Sequence, residues 1–122
     1  MNSKWTALGA LWAALAVGVG AFGAHGLKKV VTPEQLETWD TGVLYHLFTA
    51  LGLVLYGLYR SSNARRGPGG ALLLAGSLGF SGSLYLYVLG GPRWLVFVTP
   101  IGGVAMIAGW VAFAWEAWRA RE

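Results

Sequence analysis

Four runs of this chain contain no Asp, Glu, Lys or Arg: residues 5–27, 41–59, 67–92 and 94–115. An α-helix rises about 1.5 Å per residue and the hydrocarbon core of a bilayer is about 30 Å thick, so about 20 apolar residues make one crossing. All four runs meet or nearly meet that length. Only 11% of the 122 residues are charged, whereas an ordinary soluble domain has about 25%. A water-soluble fold of this size could not cover its surface with polar groups, and a bilayer removes that need. The chain therefore reads as all-α, a single transmembrane domain over residues 1–122 with spans at about 5–24, 41–59, 70–89 and 94–118.

Composition removes several function classes. There is no cysteine, which excludes disulfides, thiol catalysis and thiolate metal sites. The net charge of +4 is better explained by membrane orientation than by nucleic-acid binding. Four spans leave no room for a separate soluble catalytic domain.

The first span follows Lys4 and ends in small residues, as a signal peptide would. A signal peptide's apolar region is only about 7–15 residues long, so this longer run reads as a retained helix. Gly9, Ala13, Ala16, Gly20 and Gly23 recur at steps of four and three. That spacing makes one helix face nearly bare, and bare faces let helices approach closely in lipid. Gly76, Gly79 and Ser83 repeat the pattern on the third span, and Gly102, Ala105, Gly109 and Ala112 on the fourth. These faces suit packing within one chain or between copies.

Between the first two spans, Thr32-Pro33-Glu34-Gln35 carries the elements of a capping box, with Pro33 at the first helical position. Leu36, Trp39 and Val43 share a face, and Glu34, Glu37 and Asp40 supply a solvated polar side. The expectation is a short amphipathic helix, lying at the interface or leading directly into the second span. Pro100, with Gly102 and Gly103 beside it, is expected to kink or restart the fourth span. Near that span's end, Glu116 and Arg119 stand three apart and are expected to pair.

Four spans put both ends of the chain on one side, together with the middle loop of Arg60, Arg65 and Arg66. That side carries six of the nine basic residues. The positive-inside rule then places the termini in the cytoplasm, with the protein in the cell (inner) membrane. The same topology gathers the unusual polar residues into the outer third: His25, His46, Thr49, Ser81, Ser83, Tyr85 and Thr99. In hydrocarbon an unsatisfied polar group costs several kcal/mol, so these should face one another or a watery cleft. They are either structural glue or a ligand-binding cluster. Two histidines fall short of the three or four protein ligands of a typical zinc site, so neither a metal nor another cofactor is expected.

Gly20-Ala21-Phe22-Gly23-Ala24-His25-Gly26, Thr41-Gly42-Val43-Leu44-Tyr45-His46, Phe80-Ser81-Gly82-Ser83-Leu84-Tyr85 and Thr99-Pro100-Ile101-Gly102-Gly103 with Gly109-Trp110 occur in this order. Together they resemble the bacterial membrane-protein family called domain of unknown function 423, related to eukaryotic transmembrane protein 256. The resemblance runs from about Leu8 to Trp110 and implies a four-helix integral membrane protein. Members often carry a histidine where this chain has Thr49, so no histidine-centred role carries over to that position. A membrane enzyme would need a nucleophile–base pair or a metal triad, and only His46 with Ser81 or Ser83 could supply one. The leading expectation is a non-enzymatic scaffold, accessory or lipid-interacting protein. Its expected partners are membrane lipid, further copies of itself or the subunits of a membrane complex. The alternative is a small transporter or channel acting as an oligomer, with the proline break lining its path.

Overall fold

The computed structural model describes residues 4–61 and 67–120. Its helices are α1 (Lys4–Ala24), α2 (Pro33–Ser61), α3 (Gly69–Val88) and α4 (Leu95–Ala120), with a short 3-10 turn at Leu27–Lys29. All four helices are long and apolar enough to cross a membrane. Their outward faces are apolar as well: Leu11, Phe97 and Ile101 are each at least 70% exposed. In water such faces would drive aggregation, and in hydrocarbon they carry no penalty. The end of the bundle where α1 begins is called proximal here, and the end where it finishes distal.

The helices pack in chain order, α1 on α2, α2 on α3 and α3 on α4, and α4 barely touches α2. The bare faces explain the first and last of these seams. A Cβ on Gly9 would lie 2.7 Å from the backbone nitrogen of Val54, and one on Gly23 would lie 2.6 Å from the Trp39 ring. Across the other seam, a Cβ on Gly76 would lie 2.7 Å from Met106 Cγ, and one on Gly109 would lie 2.7 Å from the nitrogen of Leu73. Glycines of all three small-residue faces thus meet neighbours inside one chain. Close approach of this kind supplies dispersion contact, the main attraction left between helices once lipid replaces water.

The capping box forms reciprocally. Thr32 N–H donates to Gln35 Oε1 at 2.9 Å, and Gln35 N–H donates to Thr32 Oγ1 at 3.1 Å. The amphipathic stretch behind it takes the second of its two expected forms: it is the opening of α2, not a separate helix. Trp39 holds it there, buried with Leu27 and Val88 and flanked by Val19, Val43 and Tyr85. The indole N–H of Trp39 donates to the Val19 carbonyl at 3.0 Å. At 29 residues, α2 is about 44 Å long, so it overshoots the hydrocarbon and carries its carboxylates clear of it.

Of the two outcomes expected at Pro100 with Gly102 and Gly103, the fourth span does not restart there: α4 runs unbroken past all three. Pro100 stands only in the second turn, so its missing N–H leaves a single carbonyl near the helix start unbonded. Thr99 Oγ1 donates to the neighbouring Leu95 carbonyl at 3.3 Å. The glycines serve packing: Gly102 lies against the α3 backbone at Gly79 and Phe80. At the distal turn between α3 and α4, Gly90 takes a φ of 100°. There Gly90 N–H donates to Tyr87 and Gly91 N–H to Leu86, which closes α3 with a Schellman motif. Residues 62–66 of the expected polar loop lie outside the described residues.

Candidate functional site

The seven expected polar residues do not form one pocket. Among the described residues they fall into three hydrogen-bonded sets and one outlier. His46 and Tyr85 make the first set, with Nδ1 2.8 Å from the phenol oxygen. Gly42 makes room for the Tyr85 ring, since a Cβ there would lie 2.8 Å from Tyr85 Cε1. Ser81, one turn away, donates to the Gly42 carbonyl at 2.7 Å. Trp12 covers the imidazole with ring centroids 3.9 Å apart, and its own N–H donates to Ser77 Oγ at 2.8 Å. This set therefore ties α1, α2 and α3 together. His46 Nε2 is buried without a hydrogen-bond partner, and His46 lines none of the hollows described below.

Ser83 and Thr99 make the second set, a hydroxyl pair between α3 and α4. Thr49 makes the third, donating to Met106 Sδ at 3.3 Å from α2 to α4. His25 stands apart, exposed just beyond α1, with its backbone N–H returned to the carbonyls of Ala21 and Phe22. Each set joins neighbouring helices, and no described bond links one set to another. The described residues hold no group of three or more His, Cys, Asp or Glu side chains placed to bind a metal.

At the proximal end the structure shows a polar knot that sequence reasoning missed. Glu116 is 2% exposed and does not spend its carboxylate on Arg119. Oε1 accepts the Tyr56 hydroxyl at 2.6 Å, and Oε2 accepts the Gly69 N–H at 2.9 Å. Gly69 opens α3, so the carboxylate satisfies one of the free N–H groups there and meets the positive end of the helix dipole. The Tyr59 hydroxyl donates to the Glu116 carbonyl at 2.9 Å. Arg60 Nη1 lies 3.4 Å from the Tyr56 hydroxyl oxygen, to which it donates. Trp5 of α1 closes the knot edge-on to Tyr56, with centroids 6.0 Å apart. The expected i, i+3 ion pair misled because it looked only at Glu116's own helix. Its real partners lie 60 and 47 residues away, beyond any local pattern.

The sparse contact between α2 and α4 leaves a groove floored by α3 and open to the bilayer. Its middle hollow, about 370 Å³, is lined by Tyr45, Thr49, Phe80, Gly103, Met106 and Ile107. Phe80 also lines a distal hollow of about 420 Å³ with Leu84, Thr99 and Pro100. Phe48 and Trp110 line both the middle hollow and a third of about 340 Å³ along Leu47, Leu51 and Leu55. From Thr38 to Leu55 the groove runs about 26 Å along α2, nearly the hydrocarbon thickness. Of the expected residues, Thr49 and Thr99 reach this groove. His46, Ser81 and Ser83 are buried beside their partners instead.

Comparison with known proteins agrees with the architecture. The family described as "Protein of unknown function (DUF423)" matches residues 19–103. The UPF0382 membrane protein YwdK of Bacillus subtilis is 44% identical over 107 residues, covering 85% of this chain and 87% of the relative. A UPF0382 membrane protein of Haemophilus influenzae is 34% identical, covering 100% of this chain and 99% of the relative. No solved structure matches the chain. The chain, an integral membrane protein with bacterial relatives, belongs to the DUF423 family.

Proposed function

We propose that this protein is a non-enzymatic membrane scaffold that holds lipid acyl chains in the groove between α2 and α4. The groove itself carries the reading: an apolar trough of nearly membrane depth, lined by Phe48, Phe80, Ile107 and Trp110, on a bundle whose successive helices are closely packed. The polar sets support it by being closed within the protein. His46 is bonded to Tyr85, Ser81 to Gly42 and Ser83 to Thr99. A histidine–serine nucleophile pair is therefore not assembled. Helix α4 does not restart at Pro100, which favours this reading over a transport path lined by a broken helix. The excess of basic residues at the proximal side and the bacterial relatives favour a cytoplasmic-membrane location with both termini inside.

Native mass spectrometry from lipid nanodiscs tests this. The wild-type chain should emerge with lipid attached. Gly103→Leu should emerge bare, because a Cβ at Gly103 meets Phe80 only at 3.5 Å and the longer side chain then fills the middle hollow. Equal lipid retention by both would overturn the proposal, and a co-released partner protein in place of lipid would favour an accessory subunit.

A further inference from the structure

The groove proposed above continues past Thr38. Thr38 and Tyr87 line its distal hollow and also a further hollow of about 360 Å³, which Glu34, Gln35 and Val88 complete. Helix spacing agrees with this continuity. On α2, Glu34, Thr38, Tyr45 and Thr49 stand at steps of four, seven and four, so the new hollow and the middle of the groove share one face. On α3, Phe80, Leu84 and Tyr87 stand at steps of four and three and do the same. The lining changes character along this line. It is apolar at Phe48, Phe80 and Ile107 and ends in a carboxylate, an amide and two hydroxyls. Because α2 overshoots the hydrocarbon at this end, those polar groups stand at headgroup depth.

The polar end keeps bonding capacity to spare. The capping box takes Gln35 Oε1 and Thr32 Oγ1, which leaves the Gln35 NH2 and the Glu34 carboxylate out of it. Glu34 suits the first turn of α2 through the helix dipole, and its place in the hollow gives it a second use. Thr38 donates its hydroxyl to the Glu34 carbonyl at 3.2 Å and can still accept. Neither polar nor distal hollow has Lys or Arg in its lining. An apolar trough that ends in a carboxylate, with no cation in its walls, is complementary to an amphiphile with an ammonium head and repels one of net negative charge. We infer that the groove selects amine-headed phospholipid from the distal leaflet. The ammonium donates to Glu34, the Tyr87 hydroxyl and Gln35 amide donate to oxygens of the head, and the acyl chain runs from Thr38 toward Leu55. This rests on the reading of the groove as a lipid site and adds the class of lipid and the leaflet.

The test uses the full chain in nanodiscs containing equal parts phosphatidylethanolamine and phosphatidylglycerol, with the ratio of the two retained lipids read by native mass spectrometry. Wild type should retain phosphatidylethanolamine in excess. An exposed ion pair supports about a threefold preference, so Glu34→Gln should lower the ratio by about that factor. Glu34→Lys should turn the preference toward phosphatidylglycerol. Glu37→Gln makes the same change of charge one residue turn away, at a side chain outside both linings, and should leave the ratio near the wild-type value. Glu34 and Glu37 are both exposed, so these variants should fold. Lipid retained by wild type without an excess of phosphatidylethanolamine overturns this inference and leaves the groove reading standing. Retention of neither lipid overturns both. An excess that survives Glu34→Lys, or an equal loss in Glu37→Gln and Glu34→Gln, overturns the placement of the head at Glu34.

Discussion

The seam between α3 and α4 and the seam between α2 and α4 involve the same fourth helix and have opposite characters. On its α3 side, α4 presents Gly102 to Gly79, Gly109 to Leu73 and the backbone at Met106 to Gly76, and the two backbones come nearly into contact. On its α2 side it presents Met106, Ile107 and Trp110, and α2 answers with Tyr45, Phe48 and Thr49. Large side chains on both sides hold those axes apart and leave a trough, except where the ring of Trp110 lies against the bare Gly52. Side-chain size thus separates an interface that closes from a surface left for something else. In lipid this sorting matters more than hydrophobicity, because every candidate face is equally apolar.

Substitutions can break this contrast. The largest effect should follow Gly109→Leu, which drives a side chain into the Leu73 backbone. It should cost about 3 kcal/mol or prevent folding, measured by unfolding in mixed micelles. Glu116→Ala should come next. It leaves the Gly69 N–H buried without its carboxylate and the Tyr56 hydroxyl with only its longer bond to the Gly67 carbonyl, at a cost of about 2 kcal/mol. Tyr85→Phe removes the hydroxyl bonded to His46 and keeps the ring that fills the space at Gly42. It should cost only about 0.6 kcal/mol, the usual value of a side-chain bond between membrane helices. Gly103→Leu, on the open side of the same helix as Gly109, should change stability by no more than about 1 kcal/mol in either direction and act on bound lipid alone. If Gly103→Leu and Gly109→Leu proved equally damaging, the distinction between the closed and open faces of α4 would be wrong.

The closed seams were legible in the sequence and the open one was not. Gly9, Gly20 and Gly23 stand at helical spacing, as do Gly76 and Gly79, and that spacing names the face that will be buried. The capping box at Thr32 and Gln35 was readable because both partners lie within one turn. His46, Ser81 and Tyr85 were singled out because polar groups in an apolar run must find partners. Which partners they find depends on how helices are rotated about their axes, and Trp12, Ser77 and Met106 gave no local sign of their roles. The groove is a failure of packing between parallel helices that are not neighbours in the chain, so no periodicity records it. Glu116 was misread for a related reason: its position near the helix end and beside Arg119 suggested the surface, and only the arrival of α2 and α3 makes it interior.

That last bond bears on the order in which the protein is built. The first N–H of α3 is satisfied by a carboxylate synthesised 47 residues later. Until α4 has entered the membrane, the start of α3 lacks the partner it will have in the finished bundle. The tight turn at Gly90 keeps the two helices adjacent from the moment the second emerges. Insertion of α3 and α4 as a pre-joined hairpin, latched by Glu116 onto an already seated α1 and α2, is the sequence of events this geometry favours.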